Sequence, residues 1–174
     1  MSDYDCTLDV LKHKKQVESI LLCWSEFVKS RGLHHDDSKL NDPTEKAMFD
    51  HWTPELRRVT FGTDEYKAAL EGMGEGVKLH YQANRHHPEH FENGVNGMTL
   101  IDLIEMVADW MAAADRNNVS VDLIKGAERF DLSDQLIDII ANTLREEDLW
   151  NAINGHRTEY TPEEKRKGHV EGFE

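Results

Sequence analysis

Cysteine is scarce in this chain, with only Cys6 and Cys23 among 174 residues and no Cys-x-x-Cys pair. That excludes a disulfide framework and a cysteine-built zinc site, and it fits reduced thiols inside a cell. Long apolar runs are missing too: no segment approaches the ~20 residues of a membrane span. The opening residues carry Asp3 and Asp5 where a secretory leader is basic, so the expected location is cytoplasmic. Positive charge is also in short supply. Lys and Arg number 20 against 34 Asp and Glu, a net charge of −14. That balance argues against extended nucleic-acid binding, because phosphate contacts need Lys and Arg. A small phosphate ester stays within reach, since a bound divalent ion reverses the local field in an acidic site.

Strand-like alternation is sustained nowhere, and apolar residues recur at three and four instead. The fold class expected is all-α, a compact single-domain helical bundle over residues 1–158 with a charged, loose tail at 159–174. A first helix is predicted over 8–29, with Val10, Leu11, Val17, Ile20, Leu21, Trp24, Phe27 and Val28 forming one buried face. Gly32 then stands where a left-handed C-terminal cap would sit. Residues 44–61 read as one or two short helices, with Thr53-Pro54-Glu55 as a second start. A helix over 65–84 contains Gly72, Gly74 and Gly76, which weaken it. Thr99 followed by Asp102 reads as a capping box opening a central helix to Arg116. Two amphipathic helices are predicted over 120–130 and 133–150.

Ten histidines are present, and four clusters matter. They are His13 on the first helix, His34-His35-Asp36-Asp37-Ser38-Lys39, the run from His80 to His90, and Glu105 with Asp109. Imidazole and carboxylate donors together suit Mn, Fe, Zn, Mg or Co, as one ion or two. His80 and Asn84, at i and i+4, share a helix face, and His87 lies two turns beyond His80 if the helix persists. Asp109 sits in an otherwise apolar helix, where a bare carboxylate would be costly to bury without a cation or donors. Each cluster also has a structural reading. His13 alone suits a helix surface, His34 to Asp37 a polar loop, and His86-His87-Pro88 a helix end whose imidazoles cap free carbonyls. His51, His156 and His169 are read as structural.

In that order, the clusters resemble the HD superfamily of metal-dependent phosphohydrolases. His13 with Val17 looks like its first element and His35-Asp36-Asp37-Ser38-Lys39 like its His-Asp doublet. Ala108-Asp109-Trp110 looks like its late Asp, and His86-His87-Pro88-Glu89 like the His-His-Glu segment of its two-metal branches. The likeness covers residues 8 to 116, and the whole pattern also resembles a family of small proteins common in bacteriophage genomes. The Gly-Tyr-Pro element of the cyclic-dinucleotide phosphodiesterases is absent, with Asn93 to Gly97 in its place.

The resemblance implies a metal site of His13, His35, Asp36 and Asp109, with His80 and His87 holding a second ion and Asp36 bridging. It also implies hydrolysis of a nucleotide or related small phosphate ester by metal-activated water, with Asp36, Lys39 and Glu105 as catalytic candidates. Lys39, Arg85 and Asn84 are the expected substrate contacts, and Glu105 is expected to orient a ligand histidine. Two alternatives stand beside this reading. One is a di-iron oxygenase of the same superfamily. The other is a non-enzymatic, acidic helical binding protein, such as a phage-encoded decoy of a nucleic-acid-binding protein. A homo-oligomer is compatible with any of the three, and a membrane partner with none.

Overall fold

The computed structural model describes residues 5–59, 63–116 and 121–145. It is all-helical, and no strand occurs among the described residues. The helices are α1 (Thr7–Leu33), α2 (Asp37–Asn41), α3 (Pro43–Arg58), α4 (Asp64–Gly72), α5 (Gly74–Ala83), α6 (Leu100–Arg116), α7 (Leu123–Phe130) and α8 (Asp134–Leu144). Two short 3-10 turns, Pro88–His90 and Gly94–Gly97, connect α5 to α6. The tail expected at 159–174 lies outside the described residues, as does the end of the helix expected over 133–150.

Local chemistry accounts for most helix starts. Asp42 Oδ1 accepts from the backbone N–H of Thr44 and Glu45, with Pro43 in the first turn of α3. α6 opens on the expected capping box: the Thr99 N–H and hydroxyl both donate to Asp102 Oδ2, and the Asp102 N–H donates back to Thr99 Oγ1. Ser133 Oγ accepts from the Leu136 N–H at the start of α8.

Three expectations are corrected. Gly32 does not end α1, which runs through it to Leu33. Pro54 lies inside a single α3 and starts no second helix. The face of α1 expected to be buried is not: none of its residues is buried, and Trp24 and Phe27 are 53% and 68% exposed.

The described core lies where α3, α4 and α5 meet, around Leu56, Tyr66, Ala69 and Met73, with Phe49, Trp52 and Val77 packed against them. The glycines of the 65–84 segment explain both its break and its packing. α4 ends and α5 begins at Met73. A Cβ on Gly72 would come within 2.4 Å of two Trp52 ring atoms, and one on Gly76 within 2.7 Å of Met48 Cβ. Glycine here lets α4 and α5 approach α3 closely.

The packing predicts opposite signs for neighbouring substitutions. Gly72→Ala should destabilise by about 1–3 kcal/mol, because the Trp52 ring must shift. Gly74→Ala, with nothing within 4 Å of its Cβ, should stabilise by about 0.4–1 kcal/mol. Thermal denaturation of the two variants checks this, and the same sign for both would contradict the packing.

Candidate metal centre

The centre is assembled from α6, from the short connection between α1 and α2, and from the end of α5 with the turn after it. Asp102, Glu105 and Asp109 are three and four residues apart and line one side of α6. Asp102 is 1% exposed. Its Oδ1 accepts from Arg31 Nη2 at 2.9 Å and Arg85 Nε at 3.0 Å, and its Oδ2 from Arg85 Nη2 at 2.9 Å. Glu105 accepts from Arg31 Nε and, at 3.0 Å, from His35 Nδ1. His86 Nδ1 approaches the same Oε1 to 3.2 Å, off the line of a directed hydrogen bond. Burial works against ionising Glu105, but His35, His86 and Arg31 outweigh it and hold its carboxyl below the ordinary range.

A second carboxylate plays the same part on the other side. Glu45, 1% exposed in the first turn of α3, accepts from His80 Nδ1 at 2.8 Å and from the Ser38 hydroxyl at 3.0 Å. Asn84 Nδ2 donates to Ser38 Oγ at 2.6 Å and to the His80 carbonyl at 2.9 Å. A proton fixed on His80 Nδ1 leaves its Nε2 lone pair pointing inward.

Asp36 sits between these supports with φ 60° and ψ 15°. This left-handed conformation is uncommon for a residue with a side chain, and Asp and Asn tolerate it best. Asp36 Oδ2 accepts from Lys39 Nζ at 2.8 Å. Its Oδ1 is buried and has no hydrogen-bond partner, although His80 Nε2 and His86 Nε2 face it at 3.5 and 3.6 Å. His35 Nε2 lies 3.7 Å from Asp36 Oδ2 and 3.4 Å from Asp109 Oδ1. His87 Nε2 is 2.8 Å from His80 Nε2.

These separations suit ligands around a cation. Metal–donor bonds of about 2.0–2.2 Å place neighbouring donors roughly 3–3.5 Å apart. Two overlapping donor groups result, His35 with Asp36 and His86, and His80 with His86 and His87. His86 belongs to both.

Proton occupancy fits the same picture. His80 is pushed down to about 3, mainly by burial and then by Lys39. Burial, followed by the neighbouring His86 and His80, takes His87 down to about 2. Both imidazoles are therefore neutral at pH 7, as metal ligands must be. His35 is the reverse, raised to about 10 by Asp109 and then Glu105.

Of the expected residues, His35, Asp36, His80, His87 and Asp109 come together, and Lys39 stands at the rim with Asp36 and Asp109. His13 does not join them. α1 is unbroken from His13 to Leu33, so His13 lies roughly 30 Å from the end of the helix that leads into the site. Glu105 accepts from His35 Nδ1. Arg85 is not placed for substrate: it is paired to Asp102 and stacked over the Phe91 ring at 4.8 Å. Asn84 is likewise committed within the protein, to Ser38 and His80.

Three residues were missed as site residues. His86 is absent from the expected ligand set, although the His86-His87-Pro88-Glu89 segment figures both as a helix end and in the two-metal resemblance. Glu45 looks like an ordinary first-turn acid. Arg31 resembles any basic residue in a last helical turn.

The chain belongs to a family of unknown function, DUF5662, which matches residues 2–146. No curated protein and no solved structure is significantly similar to it.

The His35 environment predicts a pH dependence for the metal-free protein. Its folded pKa of about 10 exceeds the unfolded value near 6.5. The stabilisation from its proton is therefore complete below about 6.5 and lost as pH rises toward about 10. In chelator, wild type should exceed His35→Gln in Tm most clearly near pH 6, and the gap should shrink above pH 9. A gap that stays constant or widens would contradict the pairing with Asp109 and Glu105.

Proposed function

We propose that this chain is a metal-dependent phosphohydrolase acting on a nucleotide or related small phosphate ester. The observation that carries the reading is the orphaned, buried Asp36 Oδ1, faced within 3.6 Å by two imidazole nitrogens. A buried carboxylate oxygen without a donor is costly, and a cation at this point satisfies it together with both lone pairs. His35, Asp36 and His86 would hold one ion with Asp109 beside them, and His80, His86 and His87 the adjoining one. When bound, a divalent ion here supplies an activated water and neutralises charge gathering on a phosphoryl group.

The remaining work falls to the chain itself. Glu105 and Glu45 fix the ring orientations of His35 and His80. His80 and His86, 4% and 2% exposed, form a dry floor. His35, Asp36, Lys39 and Asp109 are half-buried and form the open edge through which a ligand enters. Lys39 Nζ, held by Asp36 Oδ2 and lying over the Phe49 ring, is the positive group placed to meet a phosphate oxygen. The nucleotide assignment rests on the resemblance to the HD phosphohydrolases. The net charge of −14 favours a small substrate over a polymer.

Phosphate release from a panel of nucleotides and phosphate monoesters, with Mn, Mg, Co, Zn and Fe supplied in turn, tests the proposal. Asp36→Asn should keep the fold, since Asn tolerates the left-handed conformation, and should lose at least roughly a hundredfold in kcat. Lys39→Met should raise KM by roughly tenfold. Glu105→Gln should weaken metal binding about 10–100-fold. Iron-dependent oxygen consumption without phosphate release, or full activity in Asp36→Asn, would contradict the proposal.

A further inference from the structure

Every inward-facing imidazole of the centre but one has a carboxylate behind it. His35 Nδ1 donates to Glu105, His80 Nδ1 donates to Glu45, and His86 Nδ1 approaches Glu105 to 3.2 Å. His87 is the exception: its Nδ1 has no acidic partner among the described residues. Its Nε2 is nonetheless aimed inward, 2.8 Å from His80 Nε2. No helix fixes it there. α5 ends at Ala83, and His87 is extended, at φ −96° and ψ 125°, just before the turn Pro88–His90. Another contact has to set the direction of this ring.

Tyr81 supplies that contact, with its ring centroid 4.8 Å from that of His87 and the planes at 48°. Tyr81 is pinned at both ends. Its carbonyl accepts from His90 Nδ1 at 3.1 Å, and its hydroxyl accepts from Arg129 Nη2 at 2.9 Å. The same Nη2 reaches Glu89 Oε1 at 3.3 Å, so Arg129 ties α5 to the turn two residues beyond His87. As an exposed ion pair this adds little stability, but it brackets the segment that carries His87. Arg129 is placed in turn by α7, whose guanidinium-bearing last turn rests on Phe130 at 4.6 Å. Phe130 stacks on Trp110 of α6 at 5.9 Å and 7°, and a Cβ on Gly126 would come within 2.9 Å of the same indole. A continuous line of contacts thus runs from α6 through α7 to the His87 ring.

We propose that Tyr81 is a positioning residue for His87, held by Arg129 of α7, and that the pair does for this imidazole what Glu45 and Glu105 do for the others. The inference rests on the reading of His80, His86 and His87 as ligands of one ion. A ring packed against the imidazole restricts its tilt, and the hydrogen bond to Arg129 keeps the phenol from turning away. An aromatic support also adds no negative charge behind His87. The ion held here therefore meets mainly neutral nitrogen donors, a set that suits transition metals rather than Mg.

Cobalt(II) titration of the chelator-treated full-length protein, followed by visible absorption, tests the proposal, because the band reports ligand geometry as well as occupancy. Tyr81→Leu should weaken one cobalt equivalent by roughly tenfold or more and alter its band, with helix content by circular dichroism unchanged. Tyr81→Phe and Arg129→Met break the same hydrogen bond. Each should therefore show the same smaller loss, roughly threefold, and the double variant no more than either alone. These two carry the test should Tyr81→Leu lose helix content. Wild-type affinity and band in a folded Tyr81→Leu, or additive losses in the double variant, would overturn the proposal while leaving the metal reading intact. A wild type that binds no cobalt would overturn that reading and this proposal with it.

Discussion

Two carboxylates three residues apart on α6, Asp102 and Glu105, bind the described parts of the site together. Burying them would cost several kcal/mol each without partners, and each partner arrives from a different stretch of chain. Arg31 comes from the last turns of α1 and bridges both acids. Arg85 comes from the segment after α5 and clamps Asp102. His35 and His86, their rings 4.3 Å apart, both approach Glu105 Oε1. Asp102 also caps the helix that carries it. One pair of side chains thereby fixes the helix start, the convergence of three segments and the orientation of inward-facing imidazoles. Removing either acid would take one of two partners from the half-buried Arg31, and removing Asp102 would also release Arg85.

The site follows from the same arrangement. A histidine whose Nδ1 is held by a carboxylate presents Nε2 in one fixed direction, and here two such supports aim imidazoles at Asp36. Asp36 reaches the meeting point only because the chain turns through a left-handed residue between α1 and α2. Its Oδ1 lies buried among nitrogens, without a donor. Burial holds His80 and His87 neutral, whereas Asp109 and Glu105 keep His35 protonated.

Much of this was legible in the sequence, and what was not has definite causes. Helix periods and the Thr99–Asp102 box located α6 well, because capping and apolar spacing are local signals. Asp109 was visible as a carboxylate in an otherwise apolar helix, where burial demands a partner, and the His35-Asp36 doublet as adjacent residues of metal-ligating type. His87 was reached by a spacing argument that does not hold, since α5 ends at Ala83 and Asn84 is extended. The loop beyond it brings His86 and His87 in together. Asn84 and Arg85 have the right chemistry for substrate contacts, but internal acceptors take their donors, and no local pattern reveals that. The stripe on α1 was correctly seen as apolar, yet periodicity gives the side to be covered and not what covers it. Glu45 was invisible for a related reason: a first-turn acid looks the same whether it caps a helix or orients a histidine 35 residues away.

The central claim is that the imidazoles and carboxylates around Asp36 form a metal site, and elemental analysis of the purified full-length protein tests it most directly. The account predicts one or two equivalents of a divalent transition metal per chain, lost from Asp36→Asn and from His86→Ala while helix content is retained. No bound metal in the wild type, even after reconstitution with Mn, Fe and Zn, would contradict it.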